Sequence, residues 1–289
     1  MEAWYFLVIL SSVMMGIATV IEKTMLKAEH ATQYSTALTP LVTILSLVFI
    51  PWANFQLSMT QLALIIVLSA VNAYGFLLVA RIFKHSELSI ASPVMSSLVP
   101  LLVVIFAFIF LSETLSVLQY AVIIGMVITI YFLLFGRGAR RAPSIGSNKY
   151  LYLLILYCVL SASTSIMGKY LLIGMNPFTF LILSGVFMSI FFTIMISVRY
   201  GGVREIFNNM KRYKLPLMTN AILTVGYRAS YFIALTVAPV SIAQPLRNTV
   251  YVVITVAFSG LLFKEQQIAR KLSLGLLLLV FAYLLTINM

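Results

Sequence analysis

The pentapeptide Ser89-Ile90-Ala91-Ser92-Pro93 returns 152 residues later as Ser241-Ile242-Ala243-Gln244-Pro245, unchanged at four of five positions. At the same spacing Glu113 meets Glu265. In each copy the Pro opens a long apolar segment and the Glu closes it. Self-similarity on this scale constrains the fold more than any single residue does, because one half of the chain must be built like the other. The copies differ in one respect. Arg247-Asn248 follows the second, where the first has Met95-Ser96.

Ten apolar runs can be counted. In the first half they cover Trp4 to Ile21, Tyr34 to Ile50, Gln61 to Ile82, Ile90 to Leu111 and Val117 to Phe135. In the second they cover Tyr150 to Leu172, Phe178 to Val198, Leu215 to Thr236, Ile242 to Phe263 and Leu272 to Ile287. At about 18 to 22 residues, such a run crosses a hydrocarbon core of roughly 30 Å as a helix. Only 9% of the chain is charged and 62% is hydrophobic, whereas a water-soluble domain carries roughly 25% charge. Pro51 ends the second run, since it cannot continue a hydrogen-bond ladder, and Pro177 precedes the seventh. No small-residue cleavage site follows the first run, which reads as a retained helix. The segment 137–149 is rich in Gly, Pro, Ser and Arg and reads as a basic linker. The polar stretch Arg199 to Lys214 has room for a short surface helix. The expected fold is an all-α membrane protein of ten transmembrane helices, arranged as two inverted five-helix repeats at 1–136 and 150–289. The odd number of crossings in one repeat makes the next enter the membrane the opposite way.

Charge placement argues for a topology. Of the 19 Lys and Arg, 16 fall at odd-numbered loops or the helix ends beside them, and only Lys169 lies at the other side. Short Lys- and Arg-rich loops stay in the cytoplasm, so the odd loops are expected there and both termini outside, in the cell (plasma) membrane. The net charge of +12 comes in short gaps between apolar runs and forms no basic face with interleaved aromatics, so nucleic acid is not an expected partner. Cys158 is the single cysteine, and no metal-ligand cluster or cofactor motif occurs. The partners expected are a small-molecule solute and the bilayer, with the protein a monomer or homodimer. No Asp occurs in the chain, and both His, at 30 and 85, are placed in loops. Intramembrane catalysis would need paired acids, a nucleophile with a base, or metal ligands within the spans, so no enzyme is expected.

In this arrangement the sequence resembles the ten-helix, EamA-type branch of the drug/metabolite transporter superfamily, over nearly its whole length. The resemblance rests on the five-plus-five plan, on Lys23 and Lys169 ending the first helix of each half, and on the Ser-Ile-Ala-x-Pro openings. Leu111-Ser112-Glu113 and Lys264-Glu265, followed by Gly125 and Gly275, complete it. It implies a transporter whose central cavity is lined by the first, third and fourth helices of each half. It also implies cytoplasmic termini and a basic second loop. Trp52 to Thr60 carries no charge, and the distribution of Lys and Arg favours the opposite orientation.

Two Arg lie within apolar spans, Arg228 in the eighth and Arg247 in the ninth. A central Arg costs roughly 2.5–3.5 kcal/mol on insertion scales, so its retention asks for a reason. In the ninth span Gln244, Arg247, Asn248, Tyr251 and Thr255 recur on one helical face, and in the eighth Thr224, Tyr227, Arg228 and Tyr231 do the same. Polar faces of this kind suit a water-filled cavity. The alternative is structural pairing with a carboxylate or with helix-end carbonyls. The sixth span adds Ser161, Thr164, Ser165 and Gly168, with Lys169 beside them. The first half is milder, with Ser12, Met15, Thr19 and Glu22, then Ser69, Asn72 and Tyr74, then Ser92 and Ser96. Glu22, Lys23, Glu113 and Glu265 are candidates for coupling or gating. Lys23 and Lys169 can also snorkel to an interface.

Two deep Arg without a deep Asp favour a solute bearing a carboxylate or phosphate, which a guanidinium binds in bidentate fashion. The function expected is a secondary transporter of a small anionic or zwitterionic metabolite of amino-acid, organic-acid or sugar-phosphate type. An exporter of organic cations, a lipid flippase, and a non-transporting scaffold or receptor are the alternatives.

Overall fold

The computed structural model describes residues 4–27, 31–85, 88–135, 147–199 and 214–263, with 273–284 described in part. The helices are α1 (Trp4–Leu26), α2 (Ala31–Ser46), α3 (Met59–His85), α4 (Leu88–Leu111), α5 (Val117–Phe135), α6 (Ser147–Ile173), α7 (Pro177–Arg199), α8 (Lys214–Val237) and α9 (Val240–Phe263). A further helical segment, α10, covers 273–278. No strand occurs among the described residues. Five of these helical stretches are by themselves long and apolar enough to cross a membrane: Trp4–Leu26, Gln33–Trp52, Met59–His85, Tyr152–Ile173 and Pro177–Met195. The basic linker as far as 146, the polar stretch from 200 to 213, His30 and Glu265 lie outside the described residues, as do the side chains of Ser92 and Pro93.

The packing shows the repeat directly. Helix α1 packs on α8 and α9, and its counterpart α6 packs on α3 and α4. Helix α2 packs on α8, and its counterpart α7 on α3. The pairs α2 with α7 and α4 with α9 map onto themselves. Exchanging α1–α4 for α6–α9 therefore reproduces these pairs, which is what a two-fold relation between inverted repeats requires. Close approach depends on small residues. A Cβ at Gly16 of α1 would lie 2.5 Å from Cγ2 of Ile254 on α9, and one at Gly226 of α8 would lie 2.8 Å from Sδ of Met14.

Helix ends are set by local chemistry. Ser58 with Gln61, before α3, and Ser116 with Gln119, before α5, form reciprocal capping boxes, each satisfying two amide donors that the helix start leaves open. Asn176 caps α7 by accepting from the amides of Phe178 and Thr179. The second span differs from its sequence reading. Regular α-helix ends at Ser46, and Leu47–Trp52 continues as a 3-10 turn containing Pro51. The uncharged stretch after it is tied to α7 by polar bonds. Asn54 and Thr179 exchange two hydrogen bonds of 2.8 Å, and Asn176 donates to the Trp52 carbonyl. Exposed Trp52 and Phe55 stand beside these bonds, as amphipathic rings do at a membrane interface. His85 is the last residue of α3 and not a loop residue.

Candidate functional site

A cavity of about 240 Å³ lies between α1, α3 and α4 of the first repeat and α6, α8 and α9 of the second, with α2 and α7 closing its flank. Much of its wall follows the repeat. Met15, Ala18, Thr19 and Glu22 of α1 correspond to Ser161, Thr164, Ser165 and Gly168 of α6, and all eight line it. Leu68, Asn72, Gly75, Phe76, Val79 and Phe83 of α3 correspond to Asn220, Thr224, Tyr227, Arg228, Tyr231 and Leu235 of α8. Met95, Ser96 and Val99 of α4 correspond to Arg247, Asn248 and Tyr251 of α9. The shape is shared; the chemistry is not.

The polar groups of the second repeat hold one another in place. Tyr231 hydroxyl donates to Gln244 Oε1, and Gln244 Nε2 donates to Asn248 Oδ1 at 3.2 Å. Above this chain the Arg247 guanidinium lies 4.1 Å from the Tyr231 ring centroid and 5.4 Å from that of Tyr227. Both distances are within cation–π range. Arg247 Nε is buried and has no hydrogen-bond partner. Arg228 makes one long contact, 3.7 Å from Nη1 to Met188 Sδ. Neither Arg forms an ion pair among the described residues. The pairing with a carboxylate that could have given either Arg a purely structural role is therefore missing there. On the facing wall Glu22 is 7% exposed, and its Oε1 is likewise without a partner.

Of the substrate-contact candidates read from the sequence, Arg228, Arg247, Asn248, Tyr227, Gln244, Tyr251, Tyr231 and Asn72 meet in this cavity. Two do not. Tyr74 is about half exposed on the outside of α3, because two residues from Asn72 is more than half a helical turn away. Lys169 is turned from the cavity and donates to the carbonyls of Leu235 at 2.7 Å and Ala238 at 2.9 Å. Lys23 does the same in the first repeat, donating to the Phe83 carbonyl, and residues 83 and 235 are themselves counterparts. A cation at the C-terminal end of a helix satisfies open carbonyls and complements the dipole. The two Lys therefore cap α3 and α8.

Glu113 caps α9. Its carboxylate accepts from the amide of Val240 at 3.2 Å, and from the amide and hydroxyl of Ser241 at 3.0 and 2.5 Å. Ser112 delivers it there. This residue adopts the left-handed φ of 54° just past α4, and the Glu113 amide closes the turn on the Ala107 carbonyl six residues back. The repeated Ser and the helix-end Glu thus meet across the repeat boundary. Spacing within one copy could not reveal that. Asn220 also escaped the sequence reading. It is buried, donating to the Ala18 carbonyl at 3.2 Å and to the Tyr34 hydroxyl. Its signal was present: it stands four residues before Thr224, on the same face of α8.

The model of the EamA-like transporter family matches residues 2–135 and again 148–288. The chain belongs to this family. It is a multi-pass integral membrane protein of a family that moves small molecules across membranes. A solved crystal structure, at 13% identity, superimposes with a TM-score of 0.67 over 98% of this chain and 95% of its own, which speaks for the fold. The search of curated proteins returns no match.

Proposed function

We propose that the chain is a secondary transporter that moves a small metabolite with a carboxylate or phosphate group by alternating access, binding it between Arg228 and Arg247. One observation carries this reading: two Arg line a shared cavity without carboxylate partners among the described residues, and one of them keeps a buried Nε that has no partner there. An uncompensated buried donor is costly, and an anionic ligand removes that cost through a charge-assisted bond. The cavity volume of about 240 Å³ is below the roughly 300–1,000 Å³ of pockets for drug-sized ligands, which supports a small metabolite over a drug or lipid. Alternating access is supported by the inverted repeats, which can exchange roles about a central site. The 16-to-1 distribution of Lys and Arg supports odd loops in the cytoplasm and termini on the opposite side. A C-terminal tag reachable only from the cytoplasm would reverse that orientation.

The test is thermal stabilisation of the purified protein by amino acids, organic acids, sugar phosphates, nucleotides and choline. Anionic or zwitterionic compounds are expected to stabilise it, with the effect lost in Arg247→Ala and Arg228→Ala. Stabilisation by choline alone would overturn the reading.

A further inference from the structure

The repeated pentapeptide changes at one position, Ser92 in the first copy and Gln244 in the second. That change has companions. Around Gln244 stand Tyr231, Arg247 and Asn248, and at the equivalent places the first repeat has Val79, Met95 and Ser96. Val and Met side chains carry no hydrogen-bond donor, so no such chain of bonds can run through Val79 and Met95. The arginine therefore comes together with a glutamine, a tyrosine and an asparagine that the other copy does without.

Both ends of the Gln244 amide are committed within the protein. Its Oε1 accepts from the Tyr231 hydroxyl, and its Nε2 donates to Asn248 Oδ1 at 3.2 Å. Gln244, Tyr231 and Asn248 are all buried. The chain starts from a fixed point, because the Glu113 carboxylate holds the amides of Val240 and Ser241 one turn before Gln244. A side chain whose polar atoms are engaged in this way has little left to offer a solute. What it has is control over Tyr231.

That control bears on Arg247. The guanidinium carbon lies over the Tyr231 ring, 4.1 Å from its centroid. A phenolic O–H lies in the plane of its ring by conjugation. A hydroxyl that must donate to a fixed Oε1 therefore sets both the direction of the ring and its rotation. The ring is in turn the floor under Arg247, whose Nε is buried with no hydrogen-bond partner among the described residues. A guanidinium recognises an anion through a rigid planar fork of donors, so its orientation matters as much as its charge. Groups that meet a ligand need to be held within about 0.5 Å and 10–20° by the packing and hydrogen bonds of their neighbours.

We propose that Gln244 is a positioning residue and not a solute contact: it fixes the Tyr231 ring as the platform on which Arg247 presents its guanidinium. This deepens the reading of Arg247 as an anion site and rests on it. The one variable position of the pentapeptide is then what equips the second copy to aim an arginine.

The test uses the purified full chain and two substitutions that act on one bond. Gln244→Leu removes the acceptor, and Tyr231→Phe removes the donor while keeping the ring. Without ligand, NMR with isotope-labelled arginine reads the Nε–H signal of Arg247, assigned by its loss in Arg247→Ala. Both substitutions are expected to shift or broaden that signal, and the double variant to go no further than either one. With ligand, succinate and inorganic phosphate serve as probes in calorimetric titration. Each substitution should weaken the tighter-bound probe about three- to tenfold, the range of one neutral hydrogen bond. The double variant should lose no more than a single one, and in an Arg247→Ala background Gln244→Leu should add no further loss, as for groups that act through one another. If Gln244→Leu fails to fold, Tyr231→Phe carries both readouts alone. An Arg247 signal unmoved by either substitution would overturn the proposal. So would a loss from Gln244→Leu that persists undiminished without Arg247, since direct contact with the solute predicts that result. A shifted signal in a protein that binds neither probe would uphold the platform and overturn the anion site.

Discussion

The two halves of this protein agree in how Lys23 and Lys169 hold helix ends and differ along the wall of the cavity between them. Lys23 and Lys169 occupy equivalent places at the ends of α1 and α6, and each satisfies carbonyls at the end of an equivalent helix. The same symmetry carried into the cavity pairs Arg247 with Met95, Arg228 with Phe76, Tyr227 with Gly75 and Glu22 with Gly168. A buried carbonyl without a partner carries the same penalty in either half. Capping is therefore held in common. The cavity wall has no helix end to cap, and there the two sides differ.

That comparison can be broken at several points. The largest expected effect is on stability. Lys169→Met leaves the Leu235 and Ala238 carbonyls buried and unsatisfied, a loss of about 3 kcal/mol that thermal melting in detergent would register. Lys23→Met should fall in the same direction. If either substitution left the melting temperature unchanged, the shared capping role would be wrong.

Next is the divergence itself. Arg247→Ala should weaken binding of a carboxylate-bearing ligand by about 2 kcal/mol, roughly thirtyfold, whereas Met95→Ala at the equivalent place should leave affinity within about threefold. Calorimetric titration of both variants gives the answer, and equal losses would mean that the two sides are not specialised. Gly16→Ala probes the packing beneath both. It places a methyl group against Ile254, and overpacking of that kind costs about 1–3 kcal/mol. A melting temperature equal to that of the unsubstituted protein would show that α1 and α9 can part at no cost.

The smallest effect is a gain. Ser112 holds a left-handed backbone that costs an L-residue about 1–2 kcal/mol. Ser112→Gly relieves it, offset by the greater backbone freedom of Gly in the unfolded chain. A net gain of about 0.5 kcal/mol is expected, and a loss would mean that the Ser side chain has a role in holding Glu113.

Much of the architecture was open to reading before any coordinates. The apolar runs set the number and rough extent of the helices, because each run must span the same hydrocarbon thickness. The repeat set the five-plus-five plan, and helical spacing put Arg228 with Tyr227 and Tyr231 on one face, and Arg247 with Gln244, Asn248 and Tyr251 on another. These are local consequences of a 3.6-residue period.

What spacing leaves open is the partner across a helix boundary. Tyr74 looked equivalent to Asn72 until the helix was rotated into place. Lys169 looked like a cavity charge because it adjoins Ser165 and Gly168 on α6, yet its ammonium is claimed by carbonyls 66 and 69 residues away. Glu113 and Ser241 stand in different copies of the repeat and are 128 residues apart. Their contact exists because the two repeats are folded against each other. The sequence alone determined which segments cross the membrane and which faces are polar, since both follow from the bilayer and the helical period. Tertiary structure alone decided which polar groups are satisfied by the protein and which, like Arg247 Nε and Glu22 Oε1, are buried without a partner among the described residues. Satisfaction of a hydrogen bond depends on what lies within 3 Å or so in space, and the chain order does not contain that distance.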